Sequence, residues 1–409
     1  MPSSVLLIGA KPDGAVRSLL RAGAEITCVA SVKHAAGLPP GIRAVPVHDP
    51  ADVEDVLLGL GRHGIDLTEF DVVTSALEYG LVAASVIGTL AGTTSVLPVS
   101  TAVRLRDKIV QKRVVRRARV LVAANTTAAD EQEATAAVKA VGGPPVVVKP
   151  PHGAGARETV RLADDDALTH WAGRARPGPW TVEAFVDGVE HHLDGVVREG
   201  RVVLLTVSRY LSNMIDVPAG GMNGSVLLRP ADEPGLYQAA QQLVSRSLTA
   251  MEHTTGVFHL EAFQRPDGQL VFGECGGRVA GKRIDEMIRL ATGVDLHEEW
   301  AAAVLGLPTG AGAAVVREDA AFGNLDLLAP PGRIVSLPGL DDLARRPGVV
   351  HAEYKLRPGS TMTSFEDTNT RVGRVVVSGR NVAEVEQHLS EAAAWLWAQA
   401  RSGSSQELS

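Results

Sequence analysis

The stretch that most constrains this chain is 257–275, where two apolar, β-rich runs flank Pro266-Asp267-Gly268. Turn residues between alternating runs predict an antiparallel hairpin, with strands over 257–263 and 269–275. With an even number of residues in the turn, Glu261 falls opposite Phe272 and Glu274 opposite His259. His259, Glu261 and Glu274 then share one face, and the two glutamates are diagonal neighbours roughly 7 Å apart. Carboxylates that close repel unless a cation lies between them, and a hard divalent ion favours such oxygens. Phe258, Leu260 and Phe272 require the opposite face to be buried too, which weighs against an ordinary solvated hairpin. Arg278, four residues beyond Glu274, is placed to hold a phosphoryl or carboxylate oxygen.

Two further segments bear chemistry. At 146–149 an apolar strand delivers Lys149 into the small-residue loop Gly153-Ala154-Gly155-Ala156. Such loops let backbone N–H groups approach phosphates, and the lysine adds a point charge. The Gly-Lys-Ser/Thr order of a Walker loop is absent. At 181–195 a strand, an acidic hinge and a second strand could present backbone groups to a flat base and a carboxylate to hydroxyls. His191 and His192 lack zinc-site spacing and have no cysteine near them, so they read as satisfied structural residues.

The first hundred residues alternate short β-rich runs (5–8, 25–30, 71–74) with helical spacing, as a small parallel sheet covered by helices requires. The turn from Gly9 to Gly14 lacks the full dinucleotide-binding spacing. One long helix is expected from 101 to about 117, others over 233–251, 286–290 and 382–401, and a linker at 306–312. A chain of 409 residues, 45% of them hydrophobic, can bury two or three packed subdomains. A net charge of −7 gives no broad basic footprint for nucleic acid. Two cysteines are too few for a disulfide framework, which suits a reducing cytoplasm. The opening Met1-Pro2-Ser3-Ser4 runs straight into an apolar strand and does not resemble a signal peptide, and no apolar run is long enough for a membrane helix.

The order of these segments resembles the ATP-grasp superfamily over roughly residues 100–300. The matching pieces are Arg106-Asp107-Lys108, Val147-Val148-Lys149-Pro150 with its loop, Val182 to Gly188, Phe258 to Glu261, and Phe272 to Arg278. The segments Glu274 to Gly281 and Leu328 to Ile334 are similar to the carboxylate–amine ligase branch that includes bacterial L-amino acid ligases. The resemblance implies an α/β chain: an ATP-grasp fold preceded by a small Rossmann-like parallel-sheet domain and followed by an α+β extension. The expected boundaries are 1–100, 101–305 (with a lid at about 120–188), 306–401, and a disordered tail at 402–409.

It also implies ATP with Mg²⁺ (or Mn²⁺). Lys108 and Lys149 would contact phosphates, with the loop of Gly153, Ala154, Gly155 and Ala156 closing over them. Glu183, Phe185 and Val186 would line the adenine hinge, with Glu190 on the ribose. Glu261 and Glu274 would hold the metal, and Arg278 would steady an acyl phosphate. Many members carry Asn two residues after the second glutamate, where this chain has Gly276. The expected partners are a small-molecule carboxylate, activated as an acyl phosphate, and an amine, with a homodimer as the default assembly and no nucleic acid or membrane. A carrier-protein-bound partner, a biotin-carboxylase-like reaction with bicarbonate, and a non-catalytic nucleotide sensor stand as alternatives. Candidate contacts to the acid are Glu78, Arg209, the loop 222–225 and Lys282.

Overall fold

The amino-terminal βαβ rhythm folds as its periodicity requires. Ser4–Ile8 pairs in parallel with Glu25–Ser31 and with Val72–Thr74, and Arg43–Val47 pairs in parallel with Glu25–Ser31. Both faces of the sheet are covered, so Val5, Leu6, Leu7 and Ile8 are all fully buried. The helix Leu81–Ala91 buries Leu81, Ala83, Ala84 and Ile87 and ends at Gly92 in the left-handed conformation. These features come from a computed structural model that describes residues 3–9, 14–93, 97–153, 158–172, 178–363 and 371–403. Residues 10–13 of the first turn lie outside the described residues.

The basic stretch expected as one helix is two, Val99–Arg106 and Lys108–Arg117. Asp107 between them adopts an extended conformation, and its carboxylate accepts hydrogen bonds from the N–H groups of Ile109 and Val110 at 2.9 and 2.8 Å. That is an N-cap, and the charge of a helix-favouring run conceals it in the sequence. The break makes Lys108 the first residue of the second helix.

Four antiparallel strands follow in the spatial order Asn125–Ala128, Trp180–Ala184, Val146–Lys149, Val160–Leu162. Trp171 and Trp180 meet edge to face beneath them, with ring centroids 5.5 Å apart.

The main sheet has eight strands in the order Leu270–Gly276, Gly256–Gln264, Val189–Arg198, Arg201–Tyr210, Gly224–Leu227, Ala321–Leu327, Gly373–Gly379, Val349–Tyr354. The helix Pro234–Met251 contributes Leu236, Ala240, Leu243, Val244, Leu248 and Met251 to the core that the sheet covers. This spacing of three and four residues is the apolar stripe of an amphipathic helix. Three strands from the last hundred residues therefore extend the sheet that carries Glu261 and Glu274. The stretch around 306–312 is tied down as well, because Thr309 Oγ1 and Gly310 N donate to the Glu299 carboxylate, each at 2.6 Å. Arg401–Gly403 pairs with Gly332–Ser336, so Ser402 and Gly403 are strand where a disordered tail was expected; residues 404–409 lie outside the described residues. Among the described residues no helix is long and apolar enough to cross a membrane.

Candidate active site

The hairpin differs from its expected register in one informative way. Ala262 pairs with Phe272, but Glu261 pairs with Glu274 and His259 with Gly276, so Gly273 is an extra residue in a β-bulge. Glu261 and Glu274 are therefore directly opposite, and not diagonal as an even count from the turn implied. A Cβ on Gly273 would stand 2.8 Å from the Glu261 carbonyl oxygen, so the bulge needs glycine there for space. The alternation that placed the glutamates on one face survives, because each strand keeps its own period.

Their carboxylates are half-buried on the wall of a cleft between the main sheet and the four-stranded sheet. Lys108, Lys149, Gly153, Glu183, Phe185, Val186, Glu190, Glu261 and Glu274 all line this cleft. Ala154, Gly155 and Ala156 lie outside the described residues. Arg278 does not line this cleft. It lies in an adjoining recess with Glu78, Arg106, His259 and Gly276, and Lys108 and Glu274 border both spaces.

On the cationic side, Lys108 Nζ is 2.9 Å from Glu274 Oε2 and donates to the Gly153 carbonyl at 2.9 Å. Lys149 Nζ is 3.3 Å from Glu183 Oε2, and Lys112 Nζ is 2.6 Å from the same oxygen. The side chain of Glu183 thus turns to two ammonium groups, where the sequence placed it on a base-binding hinge. Burial works against the Glu183 charge, but Lys112 and Lys149 outweigh it and hold the carboxyl at about 2. For Lys112 burial wins: helped by the like charge of Lys149, it outweighs Glu183 and Glu274, and the ammonium falls to about 8. Lys112 escaped the sequence reading, although its position four residues after Lys108 puts both on one helix face.

Gln111, on the same helix, was also missed. Its side chain donates to the Cys275 carbonyl at 2.6 Å and accepts from the Cys275 N–H at 2.8 Å. One amide thus clasps the backbone beside Glu274, and no sequence pattern advertises such a contact.

On the anionic side, Glu261 Oε1 accepts from the Tyr210 hydroxyl at 3.1 Å and lies 3.5 Å from His259 Nε2. Burial pushes Glu261 up, but His259 and Tyr210 hold it below the usual carboxylate range. Burial and the charge of Glu261 push Glu190 up, even though its Oε2 accepts from Met214 N at 2.6 Å. Behind them Asp194, with no exposed surface, accepts from His192 Nδ1 at 2.5 Å and His259 Nδ1 at 2.8 Å. Asp194 raises His259 to about 9 against the effect of burial. Ligand atoms of His192, Asp194 and His259 lie close enough together to hold a metal ion. Their ring nitrogens are already spent within the protein, with His192 Nε2 2.8 Å from Ser225 Oγ, so the trio is a hydrogen-bonded prop behind Glu261.

In the recess, Arg278 Nε donates to Glu78 Oε2 at 2.9 Å, and Arg106 Nη1 lies 3.5 Å from Glu78 Oε1. A Cβ on Gly276 would stand 3.4 Å from Glu78 Oε2. The room left by the missing Asn side chain therefore faces a carboxylate from the amino-terminal sheet domain.

Paired carboxylates on adjacent strands, lysines beside them and apolar walls from Phe263 and Phe272 line a cleft in a fold of the ATP-grasp kind. In sequence and fold the chain resembles bacterial L-amino acid ligases. Residues 327–399 match the family model of the L-amino acid ligase C-terminal domain 2. The L-arginine-specific L-amino acid ligase of Bacillus subtilis is 22% identical over 207 residues, 51% of this chain and 49% of that protein, so the match spans about half of the relative's length. The fold of an L-amino acid ligase from Bacillus licheniformis superposes with a TM-score of 0.78 at 17% identity, covering 98% of each chain. Carboxyaminoimidazole ribonucleotide synthase from Aspergillus clavatus, solved with ATP, superposes with a TM-score of 0.75 at 16% identity, over 97% of this chain and 99% of that one.

Proposed function

We propose that the protein is an ATP-dependent ligase that activates a carboxylic acid, such as an amino acid, as an acyl phosphate and condenses it with an amine. The observation that carries this reading is the direct pairing of Glu261 with Glu274 in one cleft with Lys108 and Lys149. Two carboxylates side by side are a donor set that fits Mg²⁺ or Mn²⁺. Glu261 and Glu274 would hold the ion, whose charge would offset that of the phosphate oxygens. Phe263, Phe272, Phe185 and Val186 in the cleft would form a slot for a flat base, and Glu190, which lines the same cleft, would accept from ribose hydroxyls.

The rest of the chemistry asks this chain for positioning and charge neutralisation. A substrate carboxylate oxygen attacks the γ-phosphorus and ADP departs. The amine nitrogen then attacks the acyl carbon, phosphate leaves with the bonding electrons, and the nitrogen loses a proton. Lys108 and Lys149 hold the phosphate chain. Arg278, anchored by Glu78, stands beside Glu274 to steady the acyl phosphate. Closure of the cleft over the substrates would keep water from that intermediate.

The test is ADP release from ATP and Mg²⁺ with pooled amino acids, other carboxylates or bicarbonate, each with and without amines. ADP that requires both an acid and an amine, with a condensed product mass, is the expected result. ADP with bicarbonate alone would overturn the amine step in favour of a carboxylase. ATP binding without turnover in any mixture would point to a carrier-protein partner, or to a nucleotide sensor.

A further inference from the structure

Lys282 lines the cleft on the wall formed with Asn213, Met214 and Ile215. It sits in the left-handed backbone region (φ 61°) and Arg283 follows in the same region (φ 66°). Two successive non-glycine residues there are strained unless the surroundings fix them. They are fixed: Asn324 Nδ2 donates to the Lys282 carbonyl at 2.9 Å, and the Arg283 guanidinium pairs with Glu353. The main chain is therefore held so as to present one particular side chain.

That side chain is short of partners. Its Nζ donates to Asn223 Oδ1 at 2.8 Å and stands 3.8 Å from Met214 Sδ. Among the described residues no carboxylate lies within ion-pair distance of it. Asp326 would be the natural counter-ion, but Asn223 stands between, donating Nδ2 to Asp326 Oδ2 at 3.0 Å. The other Asp326 oxygen is 2.6 Å from Arg374 Nε and 3.6 Å from Arg371 Nε. Two guanidinium groups thus share the carboxylate that Asn223 separates from Lys282, and the half-buried ammonium, whose pKa is lowered by desolvation, keeps donors for something that enters the cleft. Glu261 and Glu190 also act on it through space, but a cation held at Glu261 and Glu274 would claim the first of these charges.

We infer that Lys282 receives a carboxylate of the substrate, so that the cleft selects dicarboxylic acids over their neutral amides. The inference rests on the ligase reading and names the substrate class of that same cleft. A substrate carboxylate is favoured over a nucleotide phosphate because the ligase reading already gives the phosphates Lys108 and Lys149, whereas Lys282 lines the same cleft beside Asn223 and Met214. A carboxylate placed there would complete the coordination of an ammonium that has Asn223 Oδ1 as its near oxygen acceptor.

The test is calorimetric binding of L-aspartate, L-glutamate and succinate against L-asparagine, L-glutamine and succinamate, with a non-hydrolysable ATP analogue and Mg²⁺ present. The wild-type protein should bind at least one diacid about tenfold tighter than its amide, a preference worth about 1.4 kcal/mol. Lys282→Met and Lys282→Gln should lose the preference while the analogue's affinity stays within about twofold, and Lys282→Arg should retain most of it. Equal binding of acid and amide to the wild type, or no binding of any acid, would overturn the inference. So would variants that lose the nucleotide analogue and keep the preference, since Lys282 would then serve a phosphate. Acid discrimination without ADP release in any mixture would instead count against the ligase reading alone.

Discussion

A carboxylate that serves both a cation site and a lysine can be removed to tell the two roles apart. Glu274→Ala leaves Lys108 Nζ with the Gly153 carbonyl and takes away half of the proposed metal pair. ADP release should fall at least about a hundredfold while the far-ultraviolet circular dichroism is unchanged, since charge stabilisation at a transferring phosphoryl group is worth several kcal/mol. An active Glu274→Ala enzyme would remove the metal assignment. Glu183 allows a test by pH. Its carboxyl is held at about 2, below the ordinary 4.5, so its contribution is complete above 4.5 and lost as pH falls towards 2. Between about pH 6 and about pH 3 that group alone should cost roughly 2 kcal/mol. Glu183→Gln should be less stable near neutrality and lose correspondingly less over that range in urea titrations. Equal slopes for the two proteins would show that the lysines do not hold this charge.

At the level of elements, one bulge and one helix set the position of Glu274. With Gly273 as the extra residue, Glu261 and Glu274 face each other; without a bulge the same strands would set them diagonally. Gly273→Val places a side chain 2.8 Å from the Glu261 carbonyl oxygen. The expected outcome is at least a tenfold rise in the Mg²⁺ concentration needed for half-maximal ADP release, because a misplaced donor weakens a metal site by about 1.4 kcal/mol or more. The strand Leu270–Gly276 is also the edge of the main sheet, and an edge leaves backbone groups to be satisfied from elsewhere. Gln111 satisfies both polar groups of Cys275, so Gln111→Ala would leave a buried N–H and C=O without partners. A loss of about 2–4 kcal/mol in urea stability is expected. Gln111→Glu should be nearly as damaging, because its carboxylate cannot donate to the Cys275 carbonyl.

For the molecule as a whole, the question is whether the last hundred residues are an accessory. Ala321–Leu327 pairs with Gly224–Leu227 in the centre of the eight-stranded sheet, and Phe322, Leu325 and Leu327 are buried there. Asn324 and Asp326 from this strand also hold Ser225, Lys282 and Asn223. A chain ended after Leu305 would leave Gly224–Leu227 as an unpaired edge, expose buried Val226 and Leu227 and unpair those polar groups. It should show no cooperative thermal transition and should aggregate, whereas a chain ended after Gly403 should melt as the full protein does. A soluble, cooperatively melting fragment ending at Leu305 would overturn this view.

The sequence determined the local periods and the chemical inventory. Apolar alternation specified the hairpin strands and βαβ spacing specified the parallel sheet, which follow from interactions between near neighbours that a linear chain displays. Lys108, Lys149, Glu261 and Glu274 came forward as one set through the resemblance of their motifs, in order, to the ATP-grasp superfamily. What needed the tertiary structure was contact between distant segments. Which residue bulges in the hairpin is settled by packing, and so the sequence could not choose between a diagonal and a facing pair of glutamates. The attachment of Glu183 to Lys112, the clasp of Gln111 on Cys275 and the approach of Glu78 to Gly276 join residues 71, 164 and about 200 positions apart. Such contacts arise because burying an ion or an amide demands a partner, and the fold, not the neighbouring sequence, decides which partner is near enough to supply it.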